Sequence, residues 1–141
     1  MRKVLFIFGT RPEAIKLARV VHYLRESSAF EPVICVTGQH REMLDQVLKI
    51  FDLPAEFDLV IMATGQTLPQ SAGRIIAKLE PVLLEARPQL VLVQGDTTTT
   101  FCGALAGFYA NVPVGHVEAG LRTGDIRQPF PEEMNRLLIC R

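Results

Sequence analysis

Short apolar segments alternate with segments of helical periodicity along the chain. The apolar segments have the length of strands and lie at Val4–Phe8, Pro32–Val36, Asp58–Met62, Leu90–Val93 and Val112–Val117. Between them, apolar residues recur at the spacing of an amphipathic helix, which predicts helices at Glu13–Glu26, Arg41–Phe51, Pro69–Ala86, Thr98–Tyr109 and Pro131–Arg141. Strands that alternate with helices form a parallel sheet through right-handed crossovers. The pattern therefore predicts an α/β fold with a doubly wound parallel sheet.

Composition narrows the class of protein. The 141 residues are enough for one domain with an ordinary core, and 15 basic side chains balance 15 acidic ones. A net charge of zero argues against general binding to nucleic acid or membranes, and no apolar run approaches the ~18 residues of a membrane span. Cys35, Cys102 and Cys140 have neither the spacing of a zinc site nor that of a disulfide framework. We expect a cytoplasmic protein with reduced thiols and no metal.

Three of the predicted strands end in residues that the fold itself does not require. The first strand is followed by Gly9–Arg11, the fourth by Gly95–Thr98, and the fifth runs into His116–Gly120. Because parallel strands point the same way, their carboxyl ends share one rim of the sheet, where open α/β sheets bind ligands. The sequence therefore predicts a ligand crevice at this rim.

The turn after the first strand combines residues typical of a helix start with two cations. Pro12 and Glu13 suit the first turn of a helix, but Lys16 places a positive charge near the positive end of the helix dipole. Arg11, Lys16 and free backbone N–H groups would together cradle a diphosphate or a carboxylate. The alternative is a weak surface ion pair between Glu13 and Lys16. The glycine patterns of dinucleotide-binding and phosphate-binding loops are absent.

The turn after the fourth strand reads GDTTTT, Gly95–Thr100. Asp96 fits the N-cap of the following helix, and a carboxylate at this rim is also a candidate acid or base. Threonine is a poor helix former, so the hydroxyl and N–H groups of this run are candidates for ligand contacts.

Two further segments, HVEAGLRTG and PFPEEMNR, add carboxylates and cations. Glu118 lies two residues after His116 at a strand end, and Arg122 follows in the loop, so Glu118 is either a general base or part of a structural salt bridge. Glu132 and Arg136 are four residues apart on the last helix, the spacing of an ordinary ion pair. With the residues named above, they form a set suited to binding an anion and moving protons.

Five motifs of the chain resemble those of the non-hydrolysing bacterial UDP-N-acetylglucosamine 2-epimerases: FGTRPEAIK, TGQHREMLDQVL, VQGDTTTT, PVGHVEAGLRTGD and PFPEEMNR. They occur in the family's order and at its spacing. The resemblance implies a Rossmann-like domain, as in the N-terminal half of the glycosyltransferase-B fold, with a UDP-sugar between two domains. It implies interconversion of UDP-N-acetylglucosamine (UDP-GlcNAc) and UDP-N-acetylmannosamine (UDP-ManNAc) by elimination and re-addition of UDP, for cell-surface polysaccharide precursors. It also implies a homodimer that needs no cofactor.

The resemblance also implies roles for individual residues of this chain. Those assigned to acid–base chemistry are Asp96, Glu118 and Glu132, and those assigned to substrate binding are Arg11, Lys16, His116, Arg122 and Arg136. A region where some family members bind a second, regulatory UDP-GlcNAc corresponds to Gln39, His40 and Glu42. Glu42 stands where certain members carry glutamine, and Gly65 where they carry arginine.

The resemblance covers the N-terminal half of the family's protein. Residues 1–141 are therefore expected to form the N-terminal domain, with the C-terminal domain absent from this chain. Half a cleft leaves the diphosphate in water, where charges stabilise a leaving group weakly, so we expect little activity from the isolated chain. Two other interpretations remain open. One is a truncated, non-catalytic UDP-sugar-binding domain, and the other is the N-terminal half of a glycosyltransferase-B enzyme.

Overall fold

The computed structural model describes residues 1–38, 41–61 and 63–140. Within them, the strands are β1 (Arg2–Phe8), β2 (Phe30–Val36), β3 (Phe57–Asp58), β4 (Leu90–Gln94) and β5 (Val114–Val117). The helices are α1 (Arg11–Glu26), α2 (Arg41–Ile50), α3 (Leu68–Ala86), α4 (Thr98–Tyr109) and α5 (Glu132–Ile139). Strands and helices alternate as predicted, so the prediction of an α/β fold is confirmed.

Four elements are shorter than predicted, and one of them, α2, lacks only the last predicted residue, Phe51. β3 stops at Asp58, and Val60 has a φ of 49°, which is incompatible with a continuing strand. β5 starts late because the N–H of Val112 bonds to the carbonyl of Gly107 in the turn after α4. α5 ends at Ile139. The predicted ends of β3 and α5, Met62 and Arg141, lie outside the described residues.

All strands of the sheet are parallel, in the order β3-β2-β1-β4-β5. β1 pairs with β2 along its whole length and with β4 on its other edge. The chain thus builds one half of the sheet, crosses back over β1 and builds the other half. The order of strands reverses between β1 and β4, and in such sheets the crevice at this switch point is where ligands bind.

Alternate residues of β1 belong to two cores, one on each face of the sheet. Leu5 and Ile7 pack against α3 and α4, whereas Val4, Phe6 and Phe8 pack against α1 and α2. All five side chains are at most 2% exposed. Coverage of both faces explains the unbroken apolar sequence of this strand. It also makes β1 a rigid base for whatever lies at its carboxyl end.

Gly107 lies where α4 approaches the sheet most closely. A β-carbon at this position would come within 2.8 Å of Cγ2 of Val114 and 3.3 Å of Cγ2 of Val91. Because branched valines of a sheet cannot move aside freely, we expect Gly107→Ala to lower the free energy of unfolding by about 1–3 kcal/mol. Urea denaturation measures the change.

Gly73→Ala in α3 is the matched control. Nothing lies within 4 Å of the position that its β-carbon would occupy. Alanine is favoured over glycine inside a helix by about 0.5–1 kcal/mol, so this variant should be more stable than wild type. Equal destabilisation of the two variants would show that the close approach of α4 is not the cause.

Candidate functional site

The carboxyl ends of β1, β4 and β5 are neighbours, as predicted. The N–H of Gly95, directly after β4, donates to the carbonyl of Val117 at the end of β5, at 3.0 Å. α1 starts directly beyond β1 and α4 directly beyond β4, so two helix N-termini flank the switch point. The rim therefore collects side chains from segments that are far apart in the chain.

Glu13 fills the space between the two helix N-termini and is 2% exposed. Its Oε2 accepts hydrogen bonds from the N–H groups of Gly9 (2.9 Å) and Thr10 (2.8 Å) and from the Thr10 hydroxyl (2.8 Å). Its Oε1 accepts from the hydroxyls of Thr97 (2.7 Å) and Thr100 (3.0 Å). The predicted anion cradle of free N–H groups is therefore wrong for Gly9 and Thr10, because the chain's own carboxylate occupies them.

The threonines of the GDTTTT turn are engaged with the protein. Thr97, and not Asp96, caps α4, since its hydroxyl accepts from the N–H of Thr100 at 3.1 Å. The Thr99 hydroxyl lies 2.9 Å from that of Thr37 in the interior. The predicted ligand contacts are therefore wrong for the Thr97, Thr99 and Thr100 hydroxyls. These hydroxyls join the start of α4 to its neighbours.

Lys16 and Glu118 form an ion pair that connects α1 to the end of β5. The Lys16 Nζ lies 2.5 Å from Oε2 of Glu118, and the same oxygen accepts from Nε2 of Gln94 at 3.0 Å. Glu118 has a φ of 59°, in the left-handed region that glutamate seldom adopts. The side chains are 46% and 36% exposed, so a ligand can reach both. The predicted alternative of a Glu13–Lys16 pair is wrong.

Arg136 of α5 binds Asp96 at the start of α4. Its Nε and Nη2 both donate to Oδ2 of Asp96, at 2.9 and 2.6 Å. Nδ2 of Asn135 donates to the Asp96 carbonyl at 2.8 Å. The predicted alternative, an ion pair of Arg136 with Glu132, is not formed. Arg136 therefore ties the last helix to the rim and places a cation directly beside a carboxylate.

The buried acid of α5 is Glu133, which is not among the candidate residues predicted from the sequence. It is 1% exposed, and its Oε2 accepts from the N–H (2.6 Å) and the hydroxyl (2.7 Å) of Thr123. Glu132, the predicted candidate, is partly exposed and has no polar partner among the described residues. The sequence signal that could have indicated Glu133 is its helical spacing, since it lies one turn before Arg136. In the structure its Oε1 is 3.8 Å from Nη1 of that arginine.

The backbone and hydroxyl hydrogen bonds from Thr123 hold the pKa of Glu133 below its ordinary value of 4.5. Because the pKa is depressed in the folded state, the contribution of Glu133 to stability is complete above pH 4.5 and is lost as the pH falls through the folded-state pKa. We expect the melting temperature of wild type to fall more steeply on acidification than that of Glu133→Gln. Scanning calorimetry at a series of pH values measures both slopes, and equal slopes would contradict the assignment.

Arg11 and Arg122 lie at the rim without a carboxylate partner among the described residues. Arg11 is exposed at the start of α1. Nη1 of Arg122 donates to the carbonyls of Ala119 (3.0 Å) and Leu121 (2.6 Å), so the guanidinium holds its own loop. The salt bridge expected for Glu118 is formed with Lys16, and because both side chains stay partly exposed, the role of Glu118 as a general base remains a prediction.

His116 is held at the rim through one of its two ring nitrogens. Nε2 of His116 lies 2.6 Å from the carbonyl of Gly95, while its buried Nδ1 has no hydrogen-bond partner in the described part of the chain.

Of the residues predicted for a regulatory site, Gln39 and His40 lie outside the described residues, and Glu42 is exposed in the first turn of α2. The regulatory site stays a prediction.

The two thiols of the core are chemically quiet. Burial raises the pKa of Cys35 and of Cys102 to about 12, so both stay protonated.

In residues 1–38, 41–61 and 63–140, no three His, Cys, Asp or Glu side chains are grouped to hold a metal ion. The same residues include no helix long and apolar enough to cross a membrane. The described rim offers carboxylates for proton transfer beside cations that stabilise anions.

Comparison with known proteins gives concordant matches. A family model described as UDP-N-acetylglucosamine 2-epimerase matches residues 22–141. The UDP-N-acetylglucosamine 2-epimerase of Yersinia pestis is 60% identical over 136 residues, which are 96% of this chain and 36% of that protein. The crystal structure of the Neisseria meningitidis UDP-GlcNAc 2-epimerase bound to UDP-GlcNAc is 52% identical with a TM-score of 0.93, covering 97% of this chain and 37% of that one.

A more distant enzyme shares the same fold. The Methanocaldococcus jannaschii UDP-GlcNAc 2-epimerase, solved with UDP-GlcNAc and UDP, is 36% identical with a TM-score of 0.89 over 97% of this chain and 37% of that one. A Streptomyces glycosyltransferase, at 15% identity and a TM-score of 0.57, is alike in fold alone. The chain spans only 36% of the length of the Yersinia relative. On the family match, the identities and the shared sheet, this chain belongs to the UDP-N-acetylglucosamine 2-epimerase family.

Proposed function

We propose that this chain supplies one wall of an active site that interconverts UDP-GlcNAc and UDP-ManNAc. The observation that carries the proposal is the pair of rim carboxylates, Asp96 and Glu118, each in contact with a cation. Family membership supports the substrate class, since the relatives from Neisseria meningitidis and Methanocaldococcus jannaschii were solved with UDP-GlcNAc.

The proposed reaction exchanges a proton at carbon 2 of the sugar. A base takes that proton while the bond from carbon 1 to UDP breaks, and the electron pair forms a double bond between the two carbons. A proton then returns to the opposite face of carbon 2, and UDP adds back to carbon 1. The reaction needs a base, an acid and cations beside the departing diphosphate, because negative charge develops there. It involves no net oxidation or reduction.

The carboxylates of the rim fit the acid–base roles. A carboxylate that the substrate can reach is able to accept a proton from it and to return one. We assign proton transfer to Glu118 and Asp96, with Glu132 as a third candidate, and we assign Arg136 to orienting Asp96.

The exposed cations fit the diphosphate. Arg11 is exposed at the first position of α1, and Lys16 is 46% exposed one turn further on. We assign both to the phosphates, which would meet side chains because Glu13 already occupies the N–H groups of this turn. We assign His116 and Arg122, at the end of β5 and in the loop beyond it, to the remainder of the substrate.

The setting of the site is also proposed. We propose that residues 1–141 form the N-terminal, Rossmann-like domain of a two-domain epimerase, that the complete enzyme is a cytoplasmic homodimer, and that its product is a precursor of cell-surface polysaccharide. The coverage of the Yersinia pestis relative, 36% of its length, supports the first part.

A chimera tests the function directly. This chain replaces the segment of the Yersinia pestis relative to which it aligns, at 60% identity. Proton NMR in D2O with UDP-GlcNAc then follows the appearance of UDP-ManNAc deuterated at carbon 2, with the parent enzyme as the positive control. We expect turnover by the chimera. A folded chimera that binds UDP-GlcNAc and forms no product would contradict the proposal.

The isolated chain gives the complementary result. With UDP-GlcNAc, we expect saturation transfer from the chain to the nucleotide but little product, since the diphosphate stays in contact with water. Rapid formation of product by the isolated chain would show that this wall alone completes the site.

A further inference from the structure

We propose that Glu13 is a positioning residue that sets the separation of the two carboxylate–cation pairs, Lys16–Glu118 and Asp96–Arg136. The inference rests on the proposed function, since it concerns the geometry of the same rim. Glu13 is 2% exposed, so it does not meet the substrate itself. Its contacts reach the start of α1, which carries Lys16, and the start of α4, which follows Asp96, and it acts through them.

The first contact fixes α1. Oε2 of Glu13 binds the N–H groups of Gly9 and Thr10, at 2.9 and 2.8 Å, and so holds the turn that leads from β1 into the helix. Lys16 lies one turn further along the same helix. The position of this turn therefore decides where the ammonium group meets Glu118.

The second contact fixes α4, 84 and 87 residues away in the chain. Oε1 of Glu13 accepts from the hydroxyls of Thr97 and Thr100, at 2.7 and 3.0 Å. Asp96 directly precedes Thr97, so the contact also fixes the carboxylate that binds Arg136. A capping box at α1 requires only that the glutamate accept a hydrogen bond from the N-cap N–H. The hydrogen bonds from Thr97 and Thr100 are not part of that capping box.

A third link leads from Glu13 toward Glu118. The Thr100 hydroxyl lies 2.7 Å from the carbonyl of Gln94, and Nε2 of Gln94 donates to Oε2 of Glu118 at 3.0 Å. Glu13 is therefore connected to Glu118 by two routes, one through Lys16 and one through α4 and β4. A change at Glu13 is expected to move both pairs together.

Three substitutions separate position from charge. Glu13→Gln keeps the length of the side chain, and the amide can accept from the N–H groups and donate to threonine oxygens, since a hydroxyl both donates and accepts. Glu13→Asp is one methylene shorter and cannot reach both helices, and Glu13→Ala reaches neither. We expect the dissociation constant for UDP to stay close to wild type in Glu13→Gln and to rise about tenfold or more in the other two.

Val47→Ala serves as the control for general loss of stability. Val47 is 5% exposed in α2, within the core on one face of the sheet, and takes no part in the rim. Affinity for UDP is measured by calorimetric titration of the 141-residue chain, at a temperature where circular dichroism shows every variant folded. Backbone amide shifts of Lys16, Asp96 and Glu118 are recorded on the same samples.

Movement of these three amides in Glu13→Ala and Glu13→Asp, but not in Val47→Ala or Glu13→Gln, supports positioning. Unmoved amides in Glu13→Ala overturn it, and so does a Glu13→Gln variant as impaired as Glu13→Ala, which would point to a role for the charge. Absence of UDP binding by wild type would count against the proposed function, and the amide shifts would still decide the role of Glu13.

Discussion

Glu118→Gln is expected to lower the turnover number of the chimera by about 10²–10⁴-fold, the contribution that a positioned base makes to proton transfer. Glutamine keeps the size of the side chain and can still accept hydrogen bonds from Lys16 and Gln94, the two groups that hold Glu118. It cannot take a proton from carbon 2. Incorporation of solvent deuterium into UDP-GlcNAc should therefore fall together with the formation of UDP-ManNAc.

Glu85→Gln is the matched control for this experiment. Glu85 is exposed near the end of α3, beside the start of β4, and so lies at the rim opposite the site. We expect its turnover to equal that of the parent chimera. If Glu118→Gln instead retains deuterium exchange, the base is Asp96 or Glu132, and the assignment of Glu118 is wrong.

The largest loss of stability is expected from Phe6→Ala in the chain itself. Phe6 is fully buried in β1, between strands on both sides and against α1 and α2. Truncation of a buried phenylalanine leaves a cavity that a packed sheet cannot close, which lowers the free energy of unfolding by about 3–5 kcal/mol. Because domains of this size are stable by only about 5–15 kcal/mol, the variant should be close to unfolding at physiological temperature. Urea denaturation measures the difference.

Phe108→Ala provides the comparison. Phe108 is 73% exposed near the end of α4, so its ring makes few contacts with the rest of the chain that truncation could remove. We expect a change within about 0.5 kcal/mol. A loss of stability as large as that of Phe6→Ala would show that Phe108 packs against something in solution, such as a second copy of the chain.

The fold was predictable because the sheet imposes a pattern on the sequence. A strand covered on both faces must be apolar at every position, and Val4–Phe8 and Leu90–Val93 show this directly. The ends of elements were harder to predict. Val60 ends β3 because its backbone is left-handed, a conformation that valine seldom adopts. A valine in the sequence therefore does not predict a turn at this position.

Residues of the site could be predicted from the sequence only where their type is unfavourable for the secondary structure around them. Lys16 stands out in the sequence because a cation near a helix N-terminus is unfavourable, and the structure supplies its carboxylate partner, Glu118, directly after β5. For Glu13 the sequence predicts only an ordinary first-turn acid, because its further contacts are with threonines 84 and 87 residues away. Burial of Glu133 beside a partly exposed Glu132 is likewise set by tertiary packing, which residue type alone does not reveal.

The central place of β1 has a consequence for how the chain is made. β1 leaves the ribosome before the other strands of the sheet, yet the strand that covers its second edge, β4, begins only at Leu90. Until then, a strongly apolar strand presents unpaired N–H and C=O groups, a surface that pairs readily with other chains. The nascent chain therefore passes through a long interval in which it is prone to aggregate, and chaperones that shield β1 should raise the yield of folded protein.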